Sequence, residues 1–214
     1  MKKYLFALLP LIPVMAEAQP KVKELVPKTI PSEVSYNGDL VQAIKWEDKV
    51  GENIVVISET PSAQSITRPE KGYYEAALDA RHFVREEEHW RPRWTLHDQV
   101  NECNLQIAAN FVQNTFDITD LDNNGIAEVW LVYKVGCYGK NRPSFMKVIM
   151  YESETRYSMK GLTDVGAKGK YGGNDRSFDA NFNKGPAIFR EHATQLWDDN
   201  VNDRAGRYKP RQFK

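Results

Sequence analysis

The side chains best placed to do chemistry in this chain fall within residues 117–136, DITDLDNNGIAEVWLVYKVG. Asp120, Asp122, Asn124 and Glu128 stand at positions 1, 3, 5 and 9 of a loop, and Gly125 stands at position 6. Oxygen-bearing side chains at alternate positions converge on one point when the backbone wraps tightly. Glycine at position 6 permits the wrap, because it accepts positive φ without a Cβ clash. The carbonyl of Ile126, at position 7, adds a further oxygen. A hard cation such as Ca²⁺ takes about 6–8 oxygens, which this set and water can supply. Mg²⁺ keeps more of its own water and needs fewer protein ligands. The same residues also suit a solvated hairpin turn, since Asn-Gly and Asp/Asn clusters between apolar runs are the usual turn signal. Three carboxylates so close in sequence repel one another without a cation, which weighs toward the metal. A metal held here is expected to be structural.

The loop departs from an EF-hand. That motif carries a bidentate Glu at position 12, where this chain has Leu131, and no helix follows here. The D-x-D-x-N-G-x-x-E spacing running into a strand resembles the calcium loops of FG-GAP-type β-propeller repeats. It occurs once, whereas a propeller is built from several blades. The resemblance therefore implies a local calcium loop and not a propeller.

The elements that must position this loop are mostly strands. AEVWLVYKV (127–135) leaves the loop and is apolar on both faces, as a central strand is. Upstream, DLVQAIKW (39–46) and NIVVISE (53–59) read as a hairpin joined by a longer Gly-containing loop, followed by a polar loop over 60–72. YYEAALDARHFV (73–84) reads as one or two strands, REEEH (85–89) as a charged turn, and WRPRWTL (90–96) as a strand that Pro92 confines to an edge or a bulge. LQIAANFV (105–112) and NTFDIT (114–119) lead into the loop. FMKVIMYE (145–152) and RYSMKG (156–161) continue the meander, with SET as the turn between them. Residues 161–176 hold five glycines and read as a mobile loop without the G-x-x-x-x-G-K-[ST] pattern of a phosphate cradle. Pro186 can open a helix over 186–197, on which Ile188, Phe189, His192, Leu196 and, less cleanly, Ala193 share a face. The fold class expected is α+β, mostly an antiparallel β meander with one C-terminal helix.

The ends of the chain set its compartment. Lys2 and Lys3, an apolar run over Tyr4–Met15, and Ala16-Glu17-Ala18 read as a secretory signal peptide cut before Gln19. The run is too short to span a bilayer core of ~30 Å as a helix, and it contains Pro10 and Pro13. Cleavage would leave 196 of the 214 residues. The balanced charge of the whole chain would shift only to −1, because Lys2, Lys3 and Glu17 leave together. Near-neutrality argues against nucleic acid as a partner, and no later segment is apolar enough for a membrane span. The organisation expected is a signal peptide over 1–18, an extended Pro/Lys-rich lead-in over 19–37, one β-rich domain over 38–198, and a basic tail over 199–214. Cys103 and Cys137 are an even pair in an exported chain, which suggests a disulfide; two unpaired buried thiols are the alternative.

The remaining candidates are weaker. His82, His89, His97 and His192 form no H-x-x-x-H or H-E-x-x-H pair and read as structural or surface residues. There is no G-x-S-x-G elbow, and no catalytic residue stands out. Glu86, Glu87 and Glu88 read as a solvated charge run. In HWRPRW (89–94), Trp90, Arg91, Arg93 and Trp94 are candidate glycan contacts, since aromatic faces stack on sugar rings and guanidinium groups bond their hydroxyls. Trp90 and Trp94 facing a core is the plainer reading.

Several blocks taken together carry a second resemblance: HWRPRWTLHDQVNEC, DITDLDNNGIAEVWLVYKVGCYG, MKVIMYE and RYSMKG. They resemble a family of exported bacterial proteins catalogued under surface polysaccharide biosynthesis, over residues 73–161. The T-D-L-D-x-N-G-I-A-E block is the most specific part. The family continues after its second Cys with a C-x-G-D-V-S-P character, whereas this chain has CYGKNRPSF, so the Asp and the Ser-Pro order differ. The resemblance implies a role in making or displaying cell-surface polysaccharide and brings no catalytic residue with it. The expectation is an exported, non-catalytic accessory protein, periplasmic or at the cell surface, with a structural Ca²⁺ loop and a polysaccharide or cell-envelope protein as partner. A glycan-binding module is the alternative, and after it an enzyme on polysaccharide, which would need two carboxyls about 5–10 Å apart across a cleft.

Overall fold

The computed structural model describes residues 19–69, 72–139, 142–164 and 175–202. The signal peptide expected over 1–18, most of the glycine-rich loop and most of the basic tail lie outside the described residues. Within them the chain forms two antiparallel sheets with a helical layer on one of them. No helix among the described residues is long and apolar enough to cross a membrane.

The first sheet is a meander of β1 (Lys23–Glu24), β2 (Asp39–Asp48), β3 (Gly51–Gln64), β4 (Tyr74–Glu86) and β5 (His89–Cys103), in that order. Its tight hairpins are shorter than the sequence suggests. Asp48 pairs with Gly51, so Lys49 and Val50 alone turn the β2–β3 hairpin, where a longer loop was expected. Asp48 Oδ1 fixes that turn by accepting the Val50 N–H at 2.8 Å. Likewise Glu86 pairs with His89, so Glu87, at φ 56°, and Glu88 form the charged turn. β3 does not end at Glu59 but runs to Gln64, into the segment expected to be loop. Pro61 has no N–H to give the ladder, and the register shifts between Thr60 and Ala63 before pairing resumes.

The second sheet has the order β11-β10-β9-β8-β6, with β7 also on β8. Its strands are β6 (Gln106–Phe111), β7 (Asp117–Thr119), β8 (Glu128–Tyr138), β9 (Phe145–Glu152), β10 (Thr155–Leu162) and β11 (Arg176–Phe178). β8 is the central strand its apolar run predicts. It is flanked by β9 on one side and by β6 and β7 on the other.

Side-chain alternation along β8 divides the core. Val129, Leu131, Tyr133 and Val135 face the first sheet and pack against Val55, Ile57, Leu78 and Leu96. Trp130 and Val132 face the other way, into a cluster closed by two helices, α1 (Ala180–Lys184) and α2 (Ala187–Asn200). Asp179 caps α1 by accepting the Phe182 N–H at 2.9 Å, and α1 and β11 had no clear signal in the sequence. Pro186 is the N-cap of α2, and the buried stripe is Phe189, Ala193 and Trp197. These are spaced i, i+4, i+8, so Ile188, expected on that face, is instead 39% exposed.

The lead-in is more than an extended strap. β1 pairs with β2, and Leu25 and Val34 bury themselves with Ala43, Ile54, Val56 and Phe83 on the outer face of the first sheet. The two sheets are also joined covalently by the disulfide Cys103–Cys137, with Cα atoms 5.5 Å apart, between the end of β5 and β8.

Candidate functional site

The acidic loop connects β7 to β8, and its backbone wraps as its spacing predicts. Gly125 takes φ +80°. The N–H groups of Asn124 and Gly125 donate to the two oxygens of Asp120 at 3.0 Å each. Asp122 Oδ1 accepts the same Asn124 N–H at 3.2 Å. Glu128, the first residue of β8, is fully buried and is held by the Thr119 hydroxyl at 2.6 Å and the Leu121 N–H at 2.9 Å. One oxygen each from Asp120, Asp122 and Glu128 lie within 4.8 Å of one another. Two ligand oxygens across a calcium ion stand at most about 4.6–5.2 Å apart, so these three fit one hard cation.

The Asn124 side chain is placed differently. Asn124 Oδ1 accepts the Ile126 N–H at 2.7 Å, closing a local turn, so this oxygen is not aimed at the carboxylates. Its amide nitrogen instead donates to Asp122 Oδ2 at 3.1 Å and to Glu152 Oε1 at 2.5 Å. The amide donors therefore meet the negative charge that a cation would meet. Asn124 would have to rotate to join a coordination shell. The residue that follows in the loop, Ile126, is half-buried and lines a small cleft with Trp46 and His82; its carbonyl remains the proposed further oxygen.

Glu152, the last residue of β9, is the group that loop spacing missed. Pairing of β8 with β9 sets it opposite Glu128, and it comes from a strand far along the chain. Burial raises the Glu128 carboxyl above its ordinary range, with Asp122 and Asp120 adding to the rise against the bonds from Thr119 and Leu121. Burial raises Glu152 as well, again reinforced by Asp122 and Asp120 and opposed by its bond from Asn124. Concentrated, partly desolvated negative charge of this kind favours a cation.

The loop is also gripped by the first sheet. Lys49, at the tip of the β2–β3 hairpin, donates its backbone N–H to the Gly125 carbonyl at 2.9 Å. Its ammonium donates to the Asn124 carbonyl. Asp48 Oδ2 accepts the Ala127 N–H at 3.1 Å. The side chain of Lys49 lies so near Gly125 that a Cβ there would meet its Cε at 2.4 Å. Glycine is favoured here for its φ, and a larger residue would also push the Lys49 side chain aside.

The aromatic–arginine strand does not form one surface. Trp90 and Trp94 have the same parity, which on a regular strand puts them on one face. The register shifts between His82/Trp94 and Phe83/Pro92, so Arg93 is an extra residue and the faces exchange. Trp94, 9% exposed, lies in the core between the sheets and stacks on Tyr151 with ring centroids 3.9 Å apart. Trp90 packs with Phe83 and Val34 on the outer face, with the Lys45 ammonium 5.5 Å from its ring. Arg91 and Arg93 are exposed, and Arg93 pairs with Glu86. The expected glycan platform of Trp90, Arg91, Arg93 and Trp94 is therefore split between two faces and the core. Pro92 does lie at an edge strand and a bulge, as its missing N–H requires.

Two of the histidines are packed in the interior, and His89 and His97 lie at the surface beside Glu33 and Asp79. His82 sits between Trp46 and Trp94, with Nε2 2.9 Å from Asn53 Oδ1, and burial lowers its pKa to about 4. His192 packs edge-on against Trp130, and burial lowers its pKa too. Between the sheets, the Tyr133 hydroxyl donates to Asp98 Oδ2 at 3.1 Å, and Lys147 pairs with the same oxygen. Burial raises the Tyr133 phenol, which keeps it protonated and suits it to holding the sheets together. No family model, no curated protein and no solved structure matches the chain.

Proposed function

We propose that the protein is an exported, non-catalytic accessory protein of surface polysaccharide biosynthesis, and that its acidic loop is a structural calcium site. The polysaccharide assignment rests on the sequence resemblance over residues 73–161. The calcium assignment rests chiefly on the three oxygens of Asp120, Asp122 and Glu128 within 4.8 Å of one another. When bound, the ion neutralises carboxylates that otherwise repel in a partly desolvated place. Each side chain has a separate part in this. Asp120 holds the turn through two backbone N–H groups. Asp122 contributes charge at the mouth, and Glu128 anchors the site to the central strand. The ion ties β7, β8 and the β2–β3 hairpin tip together, because Lys49 and Asp48 already bond to the loop. It orders the loop and takes no part in a reaction.

Thermal unfolding of the chain from Gln19 onward, with EDTA and with added Ca²⁺, tests the calcium site. A cation that binds only the folded state stabilises it by mass action, by about 2.7 kcal/mol at a hundredfold excess over Kd. A melting temperature that rises with Ca²⁺ and falls with EDTA is expected. The same melting temperature in both overturns the site.

A further inference from the structure

The small cleft that Ile126 shares with Trp46 and His82 is a cavity of about 10 Å³ between the sheets. That is about the least space that holds one water molecule. His82 and Trp94 border it from the first sheet, and Ile126 and Ala127, just before β8, close it from the other side. Both of these rings carry a buried nitrogen with no hydrogen-bond partner among the described residues, His82 Nδ1 and Trp94 Nε1. His82 is 4% exposed and Trp94 9%. The rings are neighbours, with centroids 5.2 Å apart and planes inclined by 40°. Buried donors and acceptors are nearly always satisfied, and two left over at one cavity call for a shared partner.

The chemistry of the two nitrogens is fixed by what surrounds them. The Asn53 amide nitrogen donates to Asp48 Oδ1 at 3.1 Å and to the Gly51 carbonyl at 2.6 Å. Its oxygen is therefore the atom that faces His82 Nε2 at 2.9 Å, and Nε2 must carry the proton. The ring is neutral, since burial lowers its pKa to about 4. Nδ1 thus presents a lone pair. Trp94 Nε1 carries a hydrogen and can only donate.

The shared partner must accept a hydrogen bond at one end and donate one at the other. A simple cation has nothing to accept the indole N–H. A simple anion has nothing to give to the Nδ1 lone pair. No larger molecule fits the space. Water has both functions and the right size.

We propose that this cavity binds one water molecule, which accepts the Trp94 Nε1–H and donates to His82 Nδ1. The water completes a polar chain between the sheets. The chain starts at the root of the acidic loop, where the Ala127 N–H donates to Asp48 Oδ2 at 3.1 Å. It passes from Asp48 through Asn53 to His82. The water carries it on to Trp94, which stacks on Tyr151 of β9. The root of the loop is thereby joined to β9 through the first sheet. The site is separate from the carboxylates of the loop and stands whether or not they bind calcium.

A crystal structure of the chain from Gln19 onward, at a resolution that shows ordered waters, tests the proposal. One water is expected at about 2.7–3.2 Å from both nitrogens. In solution, the Trp94 indole N–H is expected to give a nuclear Overhauser cross-peak to water that is opposite in sign to its rotating-frame cross-peak. A water held for longer than the protein tumbles gives that pair of signs, whereas exchange of the indole proton gives the same sign in both. Trp94→Phe keeps a ring to stack on Tyr151 and removes the donor. It leaves the water a single partner, and the water is expected to be lost. The parent's density and cross-peaks decide the matter should the variant fail to fold. Density with no water at this place overturns the proposal. So do a direct bond between the two nitrogens, a water that touches only one of them, the lack of the opposite-sign cross-peak, and a water that stays in Trp94→Phe.

Discussion

Glu128 and Glu152 stand directly opposite each other on β8 and β9, with Asp120 and Asp122 bearing on both. Like charges in facing positions of a sheet destabilise it. Here the Asn124 amide bonds to Glu152 and Asp122, and Thr119 and Leu121 bond to Glu128. Hydrogen-bond donors soften the repulsion without cancelling the charge. Glu152→Gln removes one of the facing charges. In EDTA it is expected to stabilise the protein by about 0.5–1 kcal/mol, and the gain is expected to shrink in saturating Ca²⁺. Denaturant melts of both proteins in the two conditions measure this. A variant less stable than the parent in EDTA would show that the pair is not repulsive.

The Cys103–Cys137 bridge joins the two sheets across a sequence separation of 34 residues. The chain-entropy model gives about 4 kcal/mol for a loop of that size. Cys103→Ser with Cys137→Ser is expected to lower stability by an amount of this order. Adding reductant to the parent under conditions that open the bridge is expected to do the same and to leave the double variant unchanged. A double variant that melts with the parent would contradict it.

His82 makes stability depend on pH in a defined window. Burial lowers its folded pKa to about 4, from an ordinary 6.5, and the Asp48 charge only partly offsets this. Above pH 6.5 the residue is neutral in both states and contributes no slope. Between 6.5 and 4 the unfolded chain takes up a proton that the folded one excludes, so stability falls as pH falls. The loss amounts to about 3 kcal/mol when complete. His82→Gln removes this part of the acid sensitivity. Melts at pH values across that window, for parent and variant, read the difference between the two slopes, which leaves the carboxylates common to both. Parallel slopes would contradict the assignment.

Local chemistry was legible in the sequence, and partnership was not. The run 127–135 marks the central strand because a strand with neighbours on both sides and layers on both faces has no place for a polar row. Asp120, Asp122 and Gly125 mark a wrapped loop because their positions follow from backbone geometry alone. Glu152 was hidden, since it reaches the loop only through the β8–β9 register. The faces of Trp90 and Trp94 were hidden by the bulge at Arg93, because one extra residue reverses everything beyond it. β3 ran through Pro61 against its sequence signal because β4 continues alongside it and the ladder resumes after the gap. The split into two sheets and the cavity between them depend on long-range pairing that no local pattern encodes.

The proposed calcium ion sits among the carboxylates of Asp120, Asp122 and Glu128. Calorimetric titration of the chain from Gln19 onward with Ca²⁺, beside an Asp122→Ala variant and an Mg²⁺ control, decides whether it binds there. Saturable binding of one Ca²⁺ per chain, lost in the variant and weaker for Mg²⁺, is the result predicted. No heat of binding in the parent, or equal binding by parent and variant, would contradict it and leave the loop a hairpin connection clasped by Lys49.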